Sequence, residues 1–325
     1  MTTRDDIQLD DVRAAARRID GYVHRTPVMT SSTLDEELDA QVFVKCENLQ
    51  KVGAFKARGA CSAVMALSDQ EAARGVVTHS SGNHAAALAY AARARGIPAY
   101  VVMPDTAPQV KVDAVRGYGA ELRFCAAAQR QEVCDAWQRE TGARLVHPFE
   151  DPLVIAGQGT AALELVEDVP GLDVVVTPVG GGGLTAGAAV VVRSLLPGAR
   201  MVAAEPDAVD DAARSMATGV RQPRVEDPQT LGDGLMTALG EPNFALLQRH
   251  GVEVVTCSEA AMVAAGRFFL HRMKLVVEPS GATVLASLRE IASEVRGKRV
   301  GVIVSGGNTD LRWQCDPGAC PRVAP

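Results

Sequence analysis

The segment Val174-Val175-Val176-Thr177-Pro178-Val179-Gly180-Gly181-Gly182-Gly183-Leu184-Thr185-Ala186-Gly187 constrains this chain most. Its β-branched run reads as a buried strand, and the Ala/Val-rich stretch after the glycines reads as a helix. Four consecutive glycines let the backbone approach an anion with no side chain in the way. No Gly-Lys-Ser/Thr follows, and the glycines are contiguous rather than spaced as G-x-G-x-x-G. The turn is therefore neither a nucleotide P-loop nor a dinucleotide fingerprint. Asp173, Pro178, the glycines and Arg193 bracket too short an apolar length for a membrane span. The competing reading is a turn kept only for its flexibility.

The same alternation of strand and helix recurs along the chain, the pattern of a parallel α/β architecture. Strands are expected at Val42–Glu47, Val76–His79, Ala99–Met103, Glu121–Cys125, Val174–Val179, Met201–Ala204, Val252–Thr256 and Val300–Val304. Helices are expected at Ile7–Ile19, His84–Arg95, Gln109–Tyr118, Gln129–Glu140, Pro152–Val166, Leu184–Leu196, Glu259–Met273 and Ala282–Val295. A length of 325 residues suits roughly two domains, and 47% hydrophobic content supplies a sizeable core. A net charge of −6 and the lack of a basic run argue against nucleic acid or anionic membrane as partners. The seven cysteines show no CxxC spacing, so reduced thiols are expected rather than a disulfide framework or zinc site. Met1–Asp6 lacks the apolar core of a secretory signal, and a cytoplasmic location is expected.

Three further segments carry chemistry. In Lys45-Cys46-Glu47-Asn48-Leu49-Gln50-Lys51-Val52-Gly53-Ala54-Phe55-Lys56-Ala57-Arg58-Gly59-Ala60, Lys56 follows an apolar pair and opens a helical pattern. A lysine taken from water loses proton affinity, and an uncharged amine can attack an aldehyde. A snorkelling surface lysine is the plain alternative. Thr78-His79-Ser80-Ser81-Gly82-Asn83-His84 reads as strand end, polar loop and helix N-terminus, which suits a carboxylate or phosphate. An ordinary N-cap would look similar. Ser305, in Val300-Gly301-Val302-Ile303-Val304-Ser305-Gly306-Gly307-Asn308, stands at the carboxyl end of a strand, where open α/β sheets bind ligands.

Together these segments resemble the fold-type II pyridoxal-phosphate enzymes, and within them the serine racemase and serine/threonine dehydratase family. The match runs from His24-Arg25-Thr26-Pro27 to Gly306-Gly307-Asn308. The resemblance implies a tryptophan synthase β-like fold of two parallel-sheet α/β domains with the cofactor in the cleft. Residues 1–74 and 150–325 would form the large domain, residues 75–149 a small mobile one inserted in it, and 315–325 an irregular tail. Lys56 would form the Schiff base with pyridoxal 5'-phosphate, and Phe55 would pack near the ring. Asn83 would bond the ring hydroxyl, and Gly180, Gly181, Gly182, Gly183 and Leu184 would hold the phosphate. Gly234 and Glu278 would line the cofactor's edge, and Ser305 would face the pyridine nitrogen. A serine hydroxyl donates to an unprotonated nitrogen, which makes a weaker electron sink and favours elimination over transamination.

For the substrate, the resemblance points to an amino-acid site made by Ser80, Ser81, Gly82, Asn83 and His84. Arg130 is a candidate for a side-chain carboxylate, with a surface arginine as the plain alternative. Catalysis would rest on Lys56, with Ser81 as the second base if the chain racemises. Phe149 stands where the family's racemases tend to have asparagine, and Ala86 where glutamine is common. The expected activity is β-elimination of serine, threonine or 3-hydroxyaspartate to a 2-keto acid and ammonia; racemisation and β-replacement are the alternatives. Ala203-Ala204-Glu205-Pro206-Asp207-Ala208-Val209-Asp210-Asp211 resembles the family's divalent-cation loop. Glu205, Asp211 and the Val209 carbonyl would bind Mg²⁺, Ca²⁺ or Mn²⁺. Acids decorating a helix N-terminus are the other reading there. Relatives of this kind suggest a homodimer.

Overall fold

The computed structural model describes residues 7–80, 82–107 and 109–314. Ser81 and the expected irregular tail, 315–325, lie outside the described residues. Among the described residues, ten strands form two sheets. The larger has the order β1-β2-β10-β7-β8-β9, built from β1 (Val28–Met29), β2 (Gln41–Cys46), β7 (Val174–Pro178), β8 (Arg200–Pro206), β9 (Glu253–Cys257) and β10 (Arg299–Val304). Only the β1–β2 pairing is antiparallel; every other neighbour in this sheet runs parallel. The second sheet is all parallel, with the order β5-β4-β3-β6: β3 (Val76–His79), β4 (Ala99–Pro104), β5 (Glu121–Cys125) and β6 (Arg144–Leu145).

The central strands read as unbroken apolar runs because helices cover both faces of the larger sheet. Val175, Met201, Ala203 and Ile303 pack with the helices Pro152–Asp168 and Gly183–Leu195. The alternate residues Val174, Val176, Val202, Val300 and Val302 pack on the other face, with Glu259–Phe268 and Pro279–Glu290. Register keeps these layers aligned: Val302 pairs with Val44 on one side and Val176 on the other. Because β2, β10 and β7 are parallel neighbours, their carboxyl ends share one edge. Segments leaving that edge carry Lys56, Ser305 and the four glycines.

Several boundaries differ from the sequence reading. The helix expected at Ala282–Val295 instead spans Pro279–Glu290, because proline at a first turn sacrifices no hydrogen bond. The expected Glu259–Met273 helix stops at Phe268 and continues as a single π-helical turn, Phe269–Met273. The short strands β1 and β6 are too brief to show a period. The helices Ser32–Leu38, Asp69–Arg74 and Glu241–Arg249 were not anticipated either, while Asp211–Thr218 is the helix that the alternative reading of the acidic segment implies.

Candidate active site

After β2 the chain makes two 3₁₀ turns, Glu47–Leu49 and Lys51–Gly53, before Lys56 opens the helix Lys56–Met65. The approach is pinned to the end of β10. Ala54 bridges Gly306, and the Phe55 N–H donates to the Ser305 carbonyl at 3.0 Å. The residue keeps some exposed surface, yet its amine is deep. Lys56 Nζ donates to the Pro148 carbonyl at 2.8 Å and lies 5.1 Å from the centre of the Phe55 ring. Burial brings its pKa down to about 8. About a tenth of the amine is therefore neutral at pH 7, far more than in an ordinary lysine, and the neutral form is what nucleophilic attack requires.

Two residues further, Arg58 anchors this helix. Its guanidinium donates to both Glu47 oxygens (2.7 and 2.8 Å) and both Glu164 oxygens (2.7 and 2.8 Å), and to Thr160 Oγ1 and the His24 carbonyl. Lys45 Nζ joins Glu164 at 2.6 Å and the Thr26 carbonyl at 2.7 Å. The side chains of Arg58 and Glu47 are both 0% exposed, so this pairing holds only because every charge is matched.

The glycines after β7 form a cradle. A Cβ on Gly180 would meet Leu235 Cα at 2.9 Å, one on Gly181 the Phe149 ring at 2.3 Å, and one on Gly183 Gln158 Oε1 at 2.5 Å. Gly182 has φ +88°, a left-handed conformation that glycine adopts without strain. The Gly181 carbonyl accepts from Gly240 N and Asn243 Nδ2. Among the described residues, no hydrogen bond from the N–H groups of Gly180, Gly181 or Gly182 is found. Gly183 begins the helix Gly183–Leu195, whose first-turn amides also have no partner within the helix. Unspent amides at a helix N-terminus are the donor set a phosphate takes. Gln158 Oε1, buried beside Gly183, has no hydrogen-bond partner either. Lys56 and the cradle meet through Pro148-Phe149: the carbonyl of the first holds the amine, and the ring of the second backs Gly181.

From the other sheet, β3 leads to the Ser80–His84 loop. Asn83, first residue of the helix Asn83–Arg95, donates through Nδ2 to both Glu278 oxygens at 2.9 and 3.2 Å. Its Oδ1 accepts from Asn308 Nδ2 at 2.9 Å. Burial pushes the Glu278 carboxyl up to about 7, against the lowering effect of the Asn83 bond. Ser80 Oγ accepts from the Gly82 N–H. The His84 ring is buried against the Val146 carbonyl, and burial drives its pKa down to about 3. Its side chain belongs to the interior, which leaves its backbone N–H as its contribution to an anion site. Arg130 does open a helix, Arg130–Thr141, with its Nε turned to the Ala127 carbonyl at 3.0 Å. Gly234 N donates to Ser280 Oγ, and Asp233 beside it takes an ion pair of 2.6 Å from Lys111, which lies on the helix Gln109–Gly117 of the other sheet's unit.

Contacts link several of these residues: Phe55 meets Ser305, Asn83 meets Glu278, Glu278 lies beside Gly306, and Gly180 lies beside Gly234. The donor set fits a molecule carrying both a phosphate and an aldehyde: free amides in a side-chain-free cradle, and an amine of lowered pKa across from them. Glu205 and Asp211 lie apart, at the start of the Asp211–Thr218 helix. Both Glu205 oxygens accept backbone N–H bonds, from Ala212 at 2.9 Å and Ala213 at 2.8 Å. Asp211 Oδ2 accepts from the Leu239 N–H at 3.0 Å. Burial raises these carboxyls to about 8 and about 6. No group of three or more His, Cys, Asp or Glu side chains arranged for a metal occurs among the described residues.

Several contributors were missed by the sequence reading. The Pro148 carbonyl has no side-chain signal. Gln158 and Asn308 are polar residues whose neighbours at the site lie far away in sequence, and His147 bonds only within its own turn. Arg58 offered a faint cue, a cation two residues after Lys56 in an otherwise small-residue helix.

Comparison with known proteins agrees with this geometry. Residues 19–306 match the family model described as "Pyridoxal-phosphate dependent enzyme". The chain is similar to the beta-hydroxyaspartate dehydratase of Paracoccus denitrificans, at 48% identity over 93% of this chain and 96% of that protein. It is also similar to the L-threo-3-hydroxyaspartate ammonia-lyase of Saccharomyces cerevisiae, at 43% identity over 93% of each chain. Among solved structures, the serine racemase of Dictyostelium discoideum superposes with a TM-score of 0.90 at 44% identity, over 94% of this chain and 99% of the other.

Proposed function

The chain belongs to the pyridoxal-phosphate-dependent enzyme family, and from that premise we propose that it is a dehydratase of small β-hydroxy amino acids. The products are a 2-keto acid and ammonia. The observation that carries this is the Lys56 amine, lowered to about 8 by burial and held beside the glycine cradle. When bound, pyridoxal phosphate supplies the aldehyde for that amine and a ring that acidifies the substrate's α C–H. Gly180–Gly183 and Leu184 would hold the phosphate by backbone N–H groups. Phe55 would flank the ring, Gly234 and Glu278 would line its edge, and Asn83 would bond its hydroxyl. Ser305 would offer a hydroxyl to the ring nitrogen. Ser80, Gly82, Asn83 and the His84 N–H take the substrate carboxylate at a helix N-terminus. Lys56, neutral and screened from water, removes the α-proton.

3-Hydroxyaspartate leads the substrate panel, since the two ammonia-lyase relatives described above are named for that amino acid. Arg130 would then be the candidate cation for its distal carboxylate. Racemisation is the second reading, favoured by the likeness to serine racemase and by the serine at position 81, which the resemblance implies as the second base. Phe149 weighs against it, as an aromatic stands where racemases of this kind carry asparagine. A divalent cation at Glu205, Asp211 and the Val209 carbonyl would relieve the two carboxyls, whose pKa values burial raises. The family resemblance favours a homodimer, and the N-terminal composition a cytoplasmic location. Separately, no helix among the described residues is long and apolar enough to cross a membrane.

The test is incubation of cofactor-loaded enzyme with L-serine, L-threonine and L-threo-3-hydroxyaspartate, assayed for keto acid and for D-isomer. Keto acid from at least one is expected to dominate. A coloured enzyme that makes D-isomer and no keto acid from any of the three overturns the dehydratase reading.

A further inference from the structure

His147 is absent from every role given above, yet it sits at the hinge of the site. Its Nδ1 accepts the backbone N–H of Glu150 at 3.0 Å and, more weakly, that of Phe149 at 3.5 Å. Two N–H groups aimed at one ring nitrogen require its lone pair, so the proton of the neutral ring belongs on Nε2. That Nε2 faces Glu150 Oε2 at 3.6 Å. The ring is edge-on to Phe149, with centroids 4.6 Å apart, and to His79 at 6.0 Å. Burial, then the His79 and Lys56 charges, lower its pKa to about 4. The groups facing it therefore include two potential cations, His79 and Lys56, and one acid, Glu150.

The turn closed in this way sets three contacts. It presents the Pro148 carbonyl to Lys56 Nζ at 2.8 Å. It seats the Phe149 ring under Gly181. It turns the Phe149 carbonyl to Asn243 Nδ2 at 2.8 Å, the same amide that donates to the Gly181 carbonyl. Both halves of the cofactor site, amine and cradle, thus lean on residues 147–150.

We propose that His147 is a positioning residue: as a neutral imidazole accepting at Nδ1, it locks the 147–150 turn that holds the Lys56 amine and backs the glycine cradle. It touches neither reacting atom nor proton in transfer; it acts through Pro148 and Phe149. The inference rests on the pyridoxal-phosphate reading of the site only for its functional consequence. The claim about the lysine's environment stands on this chain alone.

The test compares His147→Asn, whose Oδ1 can replace the Nδ1 acceptor, with His147→Leu, which fills the space but accepts nothing. Two readouts are taken on the full-length protein. The first is the pH dependence of Lys56 labelling by an amine reagent without cofactor, followed by peptide mass spectrometry. The second is the rate at which the visible band appears when pyridoxal phosphate is added. In the leucine variant water reaches the amine, so its titration moves from about 8 toward the ordinary 10.5. The band then forms on the order of tenfold more slowly. The asparagine variant keeps the wild-type titration and a rate within about threefold of it. A leucine variant that titrates like the wild type overturns the proposal, as does an asparagine variant as impaired as leucine. Should the leucine variant not fold, the asparagine titration decides: unchanged supports the proposal, shifted refutes it. A wild type that never colours refutes the cofactor reading instead and leaves the labelling result independent of it.

Discussion

Replacing Arg58 with methionine tests how the catalytic helix is held. The methionine side chain occupies much of the same volume, so the change chiefly removes charge and hydrogen bonds. Glu47, completely buried, then keeps only the Thr26 hydroxyl among its present side-chain partners. Glu164 fares better, since it retains Lys45 at 2.6 Å and its side chain is 14% exposed. Breaking a buried ion pair by deleting one partner costs about 3–5 kcal/mol, because a charge is left without compensation. Most of that loss belongs to Glu47. Adding Glu47→Gln in the same chain removes the stranded charge and is expected to recover about 1–3 kcal/mol. Equilibrium unfolding in urea, followed by circular dichroism and by tryptophan fluorescence, measures both steps and shows whether the two probes coincide. An Arg58→Met variant within about 1 kcal/mol of the wild type would refute the reasoning. So would a double variant no more stable than the single one.

Four further outcomes are expected. Lys56→Ala abolishes both the borohydride-sensitive visible band and keto-acid formation, checked by absorbance and by a coupled assay. In Gly181→Ala the new Cβ would lie 2.3 Å from the Phe149 ring, so the ring must move. That variant should lose about 1–3 kcal/mol of stability and bind pyridoxal phosphate at least about tenfold more weakly, read by unfolding and by absorbance titration. Glu278 is raised from 4.5 to about 7 chiefly by burial, so the folded chain holds this proton after the unfolded chain has released it. Stability therefore falls as pH rises from about 4.5 to about 7, by at most about 3 kcal/mol, and levels off above. Glu278→Gln should flatten that part of a stability–pH curve. Finally, Lys111 and Asp233 are 33% and 56% exposed, so Asp233→Asn should cost less than about 1 kcal/mol in urea melts, and less still in high salt.

Much of this architecture is local in origin. The apolar β-branched runs of β7 and β10 declare buried parallel strands, and the helix that follows β7 carries its own boundaries. A run of four glycines can be read without coordinates, because no other sequence lets amides converge so closely. Lys56 was legible only through its company, since a lone lysine before a helix is commonplace. Arg130 shows the limit of such reading: its place at a helix start was clear, but not that its Nε would turn back to Ala127. His84 was read into the anion loop, while packing against Val146 draws its ring into the interior.

By itself the chain order determined the strand–turn–helix units, the glycine turn, the lysine and the hydroxyl after β10, because each depends on neighbours within a few residues. Only the tertiary structure decided that the Pro148 carbonyl meets Lys56, that Glu47 and Glu164 clasp Arg58, and that Asn83 reaches Glu278 from the other sheet. Those partners are separated by 11 to 195 residues. Burial, which sets the proton affinity of Lys56, Glu278 and His147, exists only once both sheets have closed around them.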